Sequence, residues 1–298
     1  MNNNTARNSQ AARNMPADMT VDQIRTAGKK CKLSYIQALS LYLFERVLHW
    51  VSRSELKDEM WLKRPELPGK GKDINSNEII FYMKKISYLT LLDMAAGIFQ
   101  DKEEHVPRMN WEMLFYDRQL EIVLDMRVEH VAFPFKVIIR PVWDEEQYPE
   151  KETYQLRLIQ GEEIHYAAYP MELELAECMY EILDKLELIH DMQPYGTACQ
   201  ILRIHPVNGR RMFQNLSDFF EKQKISSMER RWDTVLGYKS YTYMKKRWNK
   251  YEKSLHMGLS WEECLELLNL FFTPIWEAIR EDRVFFGDWM PHLGRYLD

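Results

Sequence analysis

The spacing of the hydrophobic residues changes near Tyr169, and this change constrains the fold more than any other feature of the chain. Over residues 111–168, apolar and polar residues tend to alternate, which is the period of β-strands. Beyond that point they recur every three to four residues, the period of amphipathic helices. A helical pattern also covers residues 20–52. The sequence therefore predicts an α+β fold, with a sheet-bearing domain over residues 19–169 followed by a helical domain over residues 170–298.

Helix starts are marked by three capping boxes, in which a Ser or Thr is followed three residues later by Gln or Glu. They begin at Thr20, Ser34 and Ser260. In each, the hydroxyl accepts from the third residue's N–H and the longer side chain reaches back. The second box predicts a long, largely buried helix to about Ser52. Pro170, followed by Glu172 and Glu174 in the first turn, predicts another helix to about Ile189.

Less regular segments flank these elements. Residues 60–62 suggest a short strand, and prolines and glycines follow it. The apolar stretch over residues 77–99 is predicted to start as a helix and is ambiguous in its second half. Residues 154–159 and 164–168 are predicted strands. The first 18 residues are rich in Asn, Ala and Arg and lack an apolar run, which predicts a disordered leader rather than a secretory signal.

Composition excludes several classes of protein. The 298 residues contain 40 basic and 45 acidic side chains, a net charge of −5 that does not suit a nucleic-acid coat or a polybasic membrane binder. Local basic patches remain possible. Glycine is scarce at 11 residues, and no phosphate-binding glycine loop or hydrolase elbow occurs. The 4 dispersed cysteines have no metal-site spacing and predict buried, reduced thiols in a cytoplasmic protein without a membrane span.

Metal-dependent nucleotidyl transfer needs at least two carboxylates that converge on a hard cation. On a strand this requires an acid-x-acid pair, because a period of two places both side chains on one face. No Asp-x-Asp occurs in the chain, and Asp73-Ile74-Asn75 comes closest to it. Asx residues are frequent in turns, so a surface turn is the favoured interpretation of this segment.

A basic and aromatic segment lies at residues 241–253. Its cations could contact phosphates, with Trp248 or Tyr251 stacking on bases. The favoured alternative is an amphipathic helix that packs its apolar residues inward and leaves the lysines in solvent. The inward residues would be Tyr241, Met244, Trp248, Tyr251 and Leu255. The candidate nucleic-acid contacts are Lys245, Lys246, Arg247 and Lys250.

Several further segments have the order and approximate spacing of one known family. They are residues 34–46 with Trp61-Leu62-Lys63 after them, AYPMELELAE at 168–177, RWNKY at 247–251 and SWEE at 260–263. Over residues 21–279, this ordered set resembles the AbiEii/AbiGii-type nucleotidyltransferase toxins of bacterial type IV toxin–antitoxin and phage-defence systems. The resemblance implies a nucleotidyltransferase-like mixed sheet, Mg and NTP as cofactors if the site is active, tRNA or other RNA as substrate, and a cognate antitoxin from the same operon.

The resemblance also implies catalytic positions. They fall on Lys63, Asp73 and Glu177, with Asp125 as a second possibility for the family's strand aspartate. The chain departs from the family at most of the chemistry. Arg64-Pro65 replaces a Gly-Gly pair, whose backbone N–H groups would approach phosphates. Other family residues are replaced by Asn75, Ile138, Cys178, Arg211 and Asn215.

Three functional hypotheses follow. The first is a divergent member of this family whose catalytic site is degenerate and which acts by binding RNA or a partner. The second is an active Mg-dependent nucleotidyltransferase that adds nucleotides to tRNA as a type IV toxin. The third is a helical interaction module without enzymatic activity. The sequence itself identifies no metal-ligand set.

Overall fold

The structure is a computed structural model. It describes residues 19–63, 77–85, 89, 91–92, 108–116, 119–128, 131–142, 147–159, 163–223, 228–255 and 257–297. The chain divides into two compact units, Met1–Tyr169 and Pro170–Asp298. A mixed sheet forms the centre of the first unit and helices make up most of the second. The predicted α+β class is confirmed, and the predicted disordered leader lies outside the described residues.

Two helices open the described part of the first unit, α1 (Val21–Lys30) and α2 (Tyr35–Arg53). Both begin with the predicted capping box. Thr20 and Ser34 each accept a hydrogen bond from the third helical N–H, and the Gln at that position returns one. Because α2 is apolar around nearly its whole circumference, it is buried over most of its length.

Seven strands form one mixed sheet, in the order β3-β4-β5-β2-β1-β7-β6. They are β1 (Trp61–Leu62), β2 (Glu78–Met83), β3 (Arg108–Tyr116), β4 (Gln119–Val128), β5 (Val131–Pro141), β6 (Glu150–Gln155) and β7 (Glu163–Ala168). The pairs β2·β5 and β1·β7 are parallel, and the other neighbours are antiparallel. The core of this unit combines α1 and α2 with one face of the sheet.

Two predictions for this unit were wrong in detail. The helix expected at the start of residues 77–99 is strand β2. Five of its six residues are buried, so the polar–apolar alternation that marks a half-buried strand is missing. The strand expected at residues 154–159 lies earlier, at Glu150–Gln155. Tyr154 is its only buried residue and the others are polar, so the strand shows no alternation of apolar with polar residues.

The second unit contains six α-helices within the described residues. They are α3 (Met171–Lys185), α4 (Gln193–Ile204), α5 (Gly209–Gln223), α6 (Met228–Gly237), α7 (Thr242–Leu255) and α8 (Trp261–Arg280). Short 3-10 turns follow α3 and α6. The predicted capping box at Ser260 is present. A two-stranded hairpin, β8 (Asp288–Met290) with β9 (Arg295–Leu297), was missed by the helical prediction for this half.

Candidate functional site

The first candidate site is the sheet face that points away from the core, at strands β1, β2, β4 and β5. Alternation along β2 assigns its side chains to the two faces. Ile79, Phe81 and Met83 belong to the hydrophobic core. The alternate residues, Glu78, Ile80 and Tyr82, are left for the opposite face. On this face, the positions opposite each other on β2, β4 and β5 mix charged with apolar side chains.

An ion pair lies on this face. The Lys136 Nζ atom of β5 is 3.3 Å from the Glu121 Oε2 atom of β4. The Glu121 side chain is only 8% exposed, whereas that of Lys136 is 45% exposed. On the neighbouring strand β2, Glu78 is the register partner of Lys136. The ammonium group therefore neutralises a buried carboxylate and has a second acidic residue at the neighbouring strand position.

Ile138 is the position to which the family resemblance assigns a strand aspartate. It is buried in β5, with Ile80 of β2 and Glu121 of β4 as its partners on either side. Glu121 is therefore the acidic residue that the register brings opposite this position, and sequence reasoning missed it. Only the strand register could have identified it, because 17 residues separate the two along the chain.

The structure describes the predicted catalytic residues to different extents. Lys63 directly follows β1 and is half-buried, and its backbone N–H donates to the Ile80 carbonyl at 2.9 Å. Asp73 lies outside the described residues. Asp125 lies in β4 with Asn110 and Pro134 as strand partners, and its side chain is not among those described. Glu177 is half-buried in α3 of the second unit.

Aromatic contacts mark the other end of β1 and β2. The rings of Tyr82 and Tyr169 stack at a centroid distance of 3.8 Å and an interplanar angle of 8°. The Lys84 ammonium lies 5.5 Å from the Trp61 ring centroid and 4.7 Å from that of Tyr148. Both distances suit cation–π contacts. These contacts fix the ends of the strands and were not foreseen from the sequence.

The second candidate site is the outward side of helix α7. Met244 and Trp248 are fully buried, and the Trp248 Nε1 group donates to the Leu259 carbonyl. This agrees with the favoured inward packing and rules out Trp248 as a stacking surface. Tyr241 precedes the helix and is 46% exposed, so its predicted inward position was wrong.

The opposite side of α7 is a basic face, defined here by Tyr243, Lys246, Arg247, Lys250 and Lys253. Spacings of three and four residues place them along one side of the helix. The three lysines are exposed, as is Tyr243 at 49%. The sequence of α7 has one acid, Glu252, which accepts a hydrogen bond from the Gly258 N–H in the following loop. The basic face therefore carries cations without an acidic residue of its own helix among them.

Two of the four predicted nucleic-acid contacts have partners within the second unit. The Lys245 ammonium pairs with Glu262 at 2.5 Å. The Arg247 guanidinium donates to the Ile189 carbonyl and to the Tyr243 hydroxyl, and it lies 4.1 Å from the Tyr243 ring centroid. Lys246 and Lys250 are the other two members of the predicted set, and both are exposed. Arg247 holds the Tyr243 ring in place, which makes one face of that ring a rigid support.

Within the described ranges, no three His, Cys, Asp or Glu side chains gather as a metal site. No described helix combines the length and the apolar character needed to span a membrane.

Comparisons with known proteins gave only distant likenesses. No family model matches the chain, and no curated protein matches it. Among solved structures, JHP933 from Helicobacter pylori is similar with a TM-score of 0.45 and 12% sequence identity, over 84% of this chain and 96% of that one. A second H. pylori structure, described as a candidate nucleotidyltransferase, has a TM-score of 0.46 and 11% identity, over 85% and 100% of the two chains. These likenesses are too distant to assign a family or an activity.

Proposed function

We propose that the protein is a divergent nucleotidyltransferase-like protein that acts by binding RNA, and that its inherited transfer site is degenerate. The observation that carries the proposal is the basic face of α7. Three exposed lysines lie on one side of the helix with an exposed tyrosine. The ordered segments that resemble the AbiEii/AbiGii-type toxins supply the nucleotidyltransferase part of the proposal.

The charges on the sheet face support a degenerate transfer site. Transfer from an NTP needs carboxylates that are free to bind a divalent cation against the triphosphate. Glu121 has the Lys136 ammonium at its carboxylate, and the position opposite it is the apolar Ile138. A bound cation would therefore have to displace Lys136 or tolerate its positive charge at close range. The arrangement favours a stable ion pair over a metal site.

The charges on the basic face support an anionic polymer as ligand. Five basic residues and one acid occur in the 14 residues of α7, in a chain whose net charge is −5. Lys246, Lys250 and Lys253 can each neutralise a phosphate, and release of counterions then favours binding. Tyr243 offers a ring on which an unpaired base can stack. These features together favour single-stranded RNA segments over a regular duplex.

RNA binding is tested by titrating the protein with a fluorescently labelled single-stranded RNA at several salt concentrations. The variant Lys246→Gln/Lys250→Gln/Lys253→Gln should bind RNA more weakly. Its plot of log K against log salt should fall less steeply, with a slope smaller in magnitude by about 2. A control with the same charge change is Lys29→Gln/Lys30→Gln/Lys57→Gln, which alters exposed lysines of the first unit. Equal losses in both variants would refute a specific role of the basic face.

Stacking is tested separately with Tyr243→Ala and Tyr243→Phe. The alanine variant should weaken RNA binding by about 1–3 kcal/mol, whereas phenylalanine keeps the ring and most of the affinity. If both variants bind as the wild type does, the tyrosine is not a stacking surface.

Transfer itself is tested by incubating the protein with each labelled NTP, Mg or Mn, and total tRNA. We expect no label on the RNA. Label transfer that is abolished by Asp73→Ala would overturn the degenerate-site proposal and establish the active nucleotidyltransferase instead. Growth arrest on expression, relieved by a co-expressed neighbouring gene, would support the toxin role and the cognate antitoxin that the family resemblance implies.

A further inference from the structure

Two cysteines of the second unit lie in direct contact. Cys199 of α4 and Cys264 of α8 are separated by 65 residues of sequence, and their Sγ atoms are 3.2 Å apart. Both side chains are fully buried, and both are free thiols. A disulfide bond is about 2.05 Å long, so the sulfur atoms need to approach by about 1 Å to reach bonding distance.

Aromatic packing holds the two thiols in this position. Tyr195 lies one turn before Cys199 in α4, and Trp261 lies three residues before Cys264 in α8. The two rings meet edge to face at a centroid distance of 5.1 Å, and both are fully buried. Because the rings fix the separation of the two helices, the sulfur atoms face each other in the packed state rather than meeting by chance fluctuation.

The same burial makes the reduced pair slow to react. Removal from water raises the pKa of the Cys264 thiol well above its ordinary value, and the neighbouring Cys199 adds to this rise. The reactive thiolate is therefore scarce in the closed state. A small oxidant has to enter by a local opening of the helices, which is a low-population event in a packed core.

We propose that Cys199 and Cys264 are an oxidation site, at which hydrogen peroxide converts the two thiols into an intrachain disulfide that joins α4 to α8. One thiol, as its thiolate, attacks the peroxide. The O–O bond breaks, a sulfenic acid forms, and the hydroxide that leaves takes up a proton as water. The second sulfur then attacks the sulfenic sulfur, the S–O bond breaks, and a second water leaves. The two thiols together lose two electrons, and one hydrogen peroxide is reduced to two waters.

The cross-link would stabilise the helical unit. It would close a loop of 65 residues and so reduce the conformational freedom of the unfolded chain. The cross-link is independent of RNA binding, because neither cysteine belongs to the basic face. Cys31 and Cys178 provide internal controls. Cys178 is buried in α3, and Cys31 is partly exposed, with its thiol 3.7 Å from the Arg157 carbonyl of the first unit.

The test exposes the folded full-length protein to hydrogen peroxide, alkylates the remaining thiols after denaturation, and maps the peptides by mass spectrometry. We expect one linked peptide pair that contains Cys199 and Cys264, with Cys31 and Cys178 recovered as separate peptides. The melting temperature should rise by about 10 °C on oxidation and return with dithiothreitol. The rate should become independent of peroxide concentration when opening limits the reaction.

Single variants separate the cross-link from other effects of oxidation. Cys199→Ser and Cys264→Ser should each lose the linked peptide and the rise in melting temperature, whereas Cys178→Ser should keep both. Circular dichroism establishes that each variant is folded before oxidation. The proposal is overturned if the folded wild type yields sulfinic acids without a linked pair, or if the link forms only after the protein has been unfolded.

Discussion

The carboxylate of Glu45 and the hydroxyl of Tyr154 meet inside the first unit, where the hydroxyl donates to Oε1 at 3.2 Å. The same carboxylate accepts three backbone N–H groups from the segment after β6. These come from Arg157 at 2.6 Å, Leu158 at 2.9 Å and Ile159 at 3.0 Å. A residue in the middle of α2 thereby satisfies buried donors of a loop more than 100 residues away in the sequence.

Replacing Glu45 with alanine should destabilise the protein strongly. The change leaves three backbone donors and the Tyr154 hydroxyl without their acceptor, and it opens a cavity in the core. We expect a loss of about 3–5 kcal/mol in the free energy of unfolding. Tyr154→Phe removes only one of these hydrogen bonds and should cost about 1 kcal/mol. Urea unfolding followed by circular dichroism measures both. A smaller loss for Glu45→Ala than for Tyr154→Phe would contradict the assigned role.

The pH dependence of stability should report the ionisation of Glu45. Burial raises the pKa of this carboxyl above its ordinary 4.5, and the hydrogen bonds from Ile159, Arg157, Leu158 and Tyr154 oppose the rise without cancelling it. A raised pKa means that the folded protein binds the proton more tightly than the unfolded chain. The associated stability is complete below the unfolded pKa and is lost as pH rises through the folded pKa.

The measurement compares the unfolding free energy of the wild type with that of Glu45→Gln between pH 3 and pH 8. The difference, wild type minus variant, should fall as pH rises and then level off. Glu187→Gln gives a contrasting control. A hydrogen bond from the Tyr238 hydroxyl lowers the pKa of Glu187, so its contribution is present above the unfolded pKa and is lost as pH falls. A parallel trend in both comparisons would argue against the role of Glu45.

The sequence predicted those elements whose causes are local. Capping boxes at Thr20, Ser34 and Ser260 involve residues only three positions apart, and all three were confirmed. The acceptor role of Glu45 could not be predicted, because its donors come from a distant loop and no local sequence pattern indicates them. The helical spacing of α7 predicted the inward position of Trp248, because that spacing is local. The Ile189 carbonyl, a partner of Arg247, lies far away in the sequence and is identified only by the fold.

On the sheet face, too, some features can be predicted from the sequence and others depend on the fold. The family resemblance assigns acids to the positions of Asn75 and Ile138, and this expectation comes from the sequence alone. The pairing of Glu121 with Lys136 depends on the register of β4 against β5, which alternation alone leaves undetermined. Asp125 lies in β4, and the acid that the register sets opposite Ile138 is Glu121, four residues earlier in the same strand.

The ion pair between Glu121 and Lys136 should show measurable coupling. Lys136→Met removes the ammonium from a carboxylate that is only 8% exposed, and we expect a loss of about 1–3 kcal/mol. Glu121→Gln should recover part of this loss in the double variant, because the buried charge is then absent. A double-mutant cycle by urea unfolding gives the coupling energy. Additive losses would show that the pair contributes nothing beyond its separate contacts.

Gly196 of α4 should be intolerant of a side chain. A Cβ atom at this position would lie 2.4 Å from both the Cε1 atom and the hydroxyl oxygen of Tyr251, so the helix and the tyrosine have to separate. We expect Gly196→Ala to destabilise the protein by about 1–3 kcal/mol despite the better helix propensity of alanine. Gly237→Ala is the matched control, since nothing lies within 4 Å of its Cβ position and its φ is −62°. Thermal unfolding distinguishes them, and equal melting temperatures would contradict the close approach.

Arg247 and Lys246 are neighbours in sequence, but we expect Arg247 to stabilise the fold and Lys246 to contact RNA. Arg247 donates to the Ile189 carbonyl and contacts the His190 ring at 3.1 Å, so its guanidinium joins α7 to the segment after α3. Arg247→Lys keeps the charge but loses this planar set of donors, and it should lower the free energy of unfolding by about 1–2 kcal/mol.

Lys246→Gln removes an exposed charge and should leave stability within about 0.5 kcal/mol while weakening RNA binding. The two variants are compared by urea unfolding and by RNA titration at equal salt, with each titration performed well below the unfolding midpoint. Arg247→Lys should bind RNA with an unchanged salt slope, because the number of cations is preserved. If Lys246→Gln destabilises the fold as much as Arg247→Lys does, the division between a structural and an RNA-facing cation on α7 is wrong.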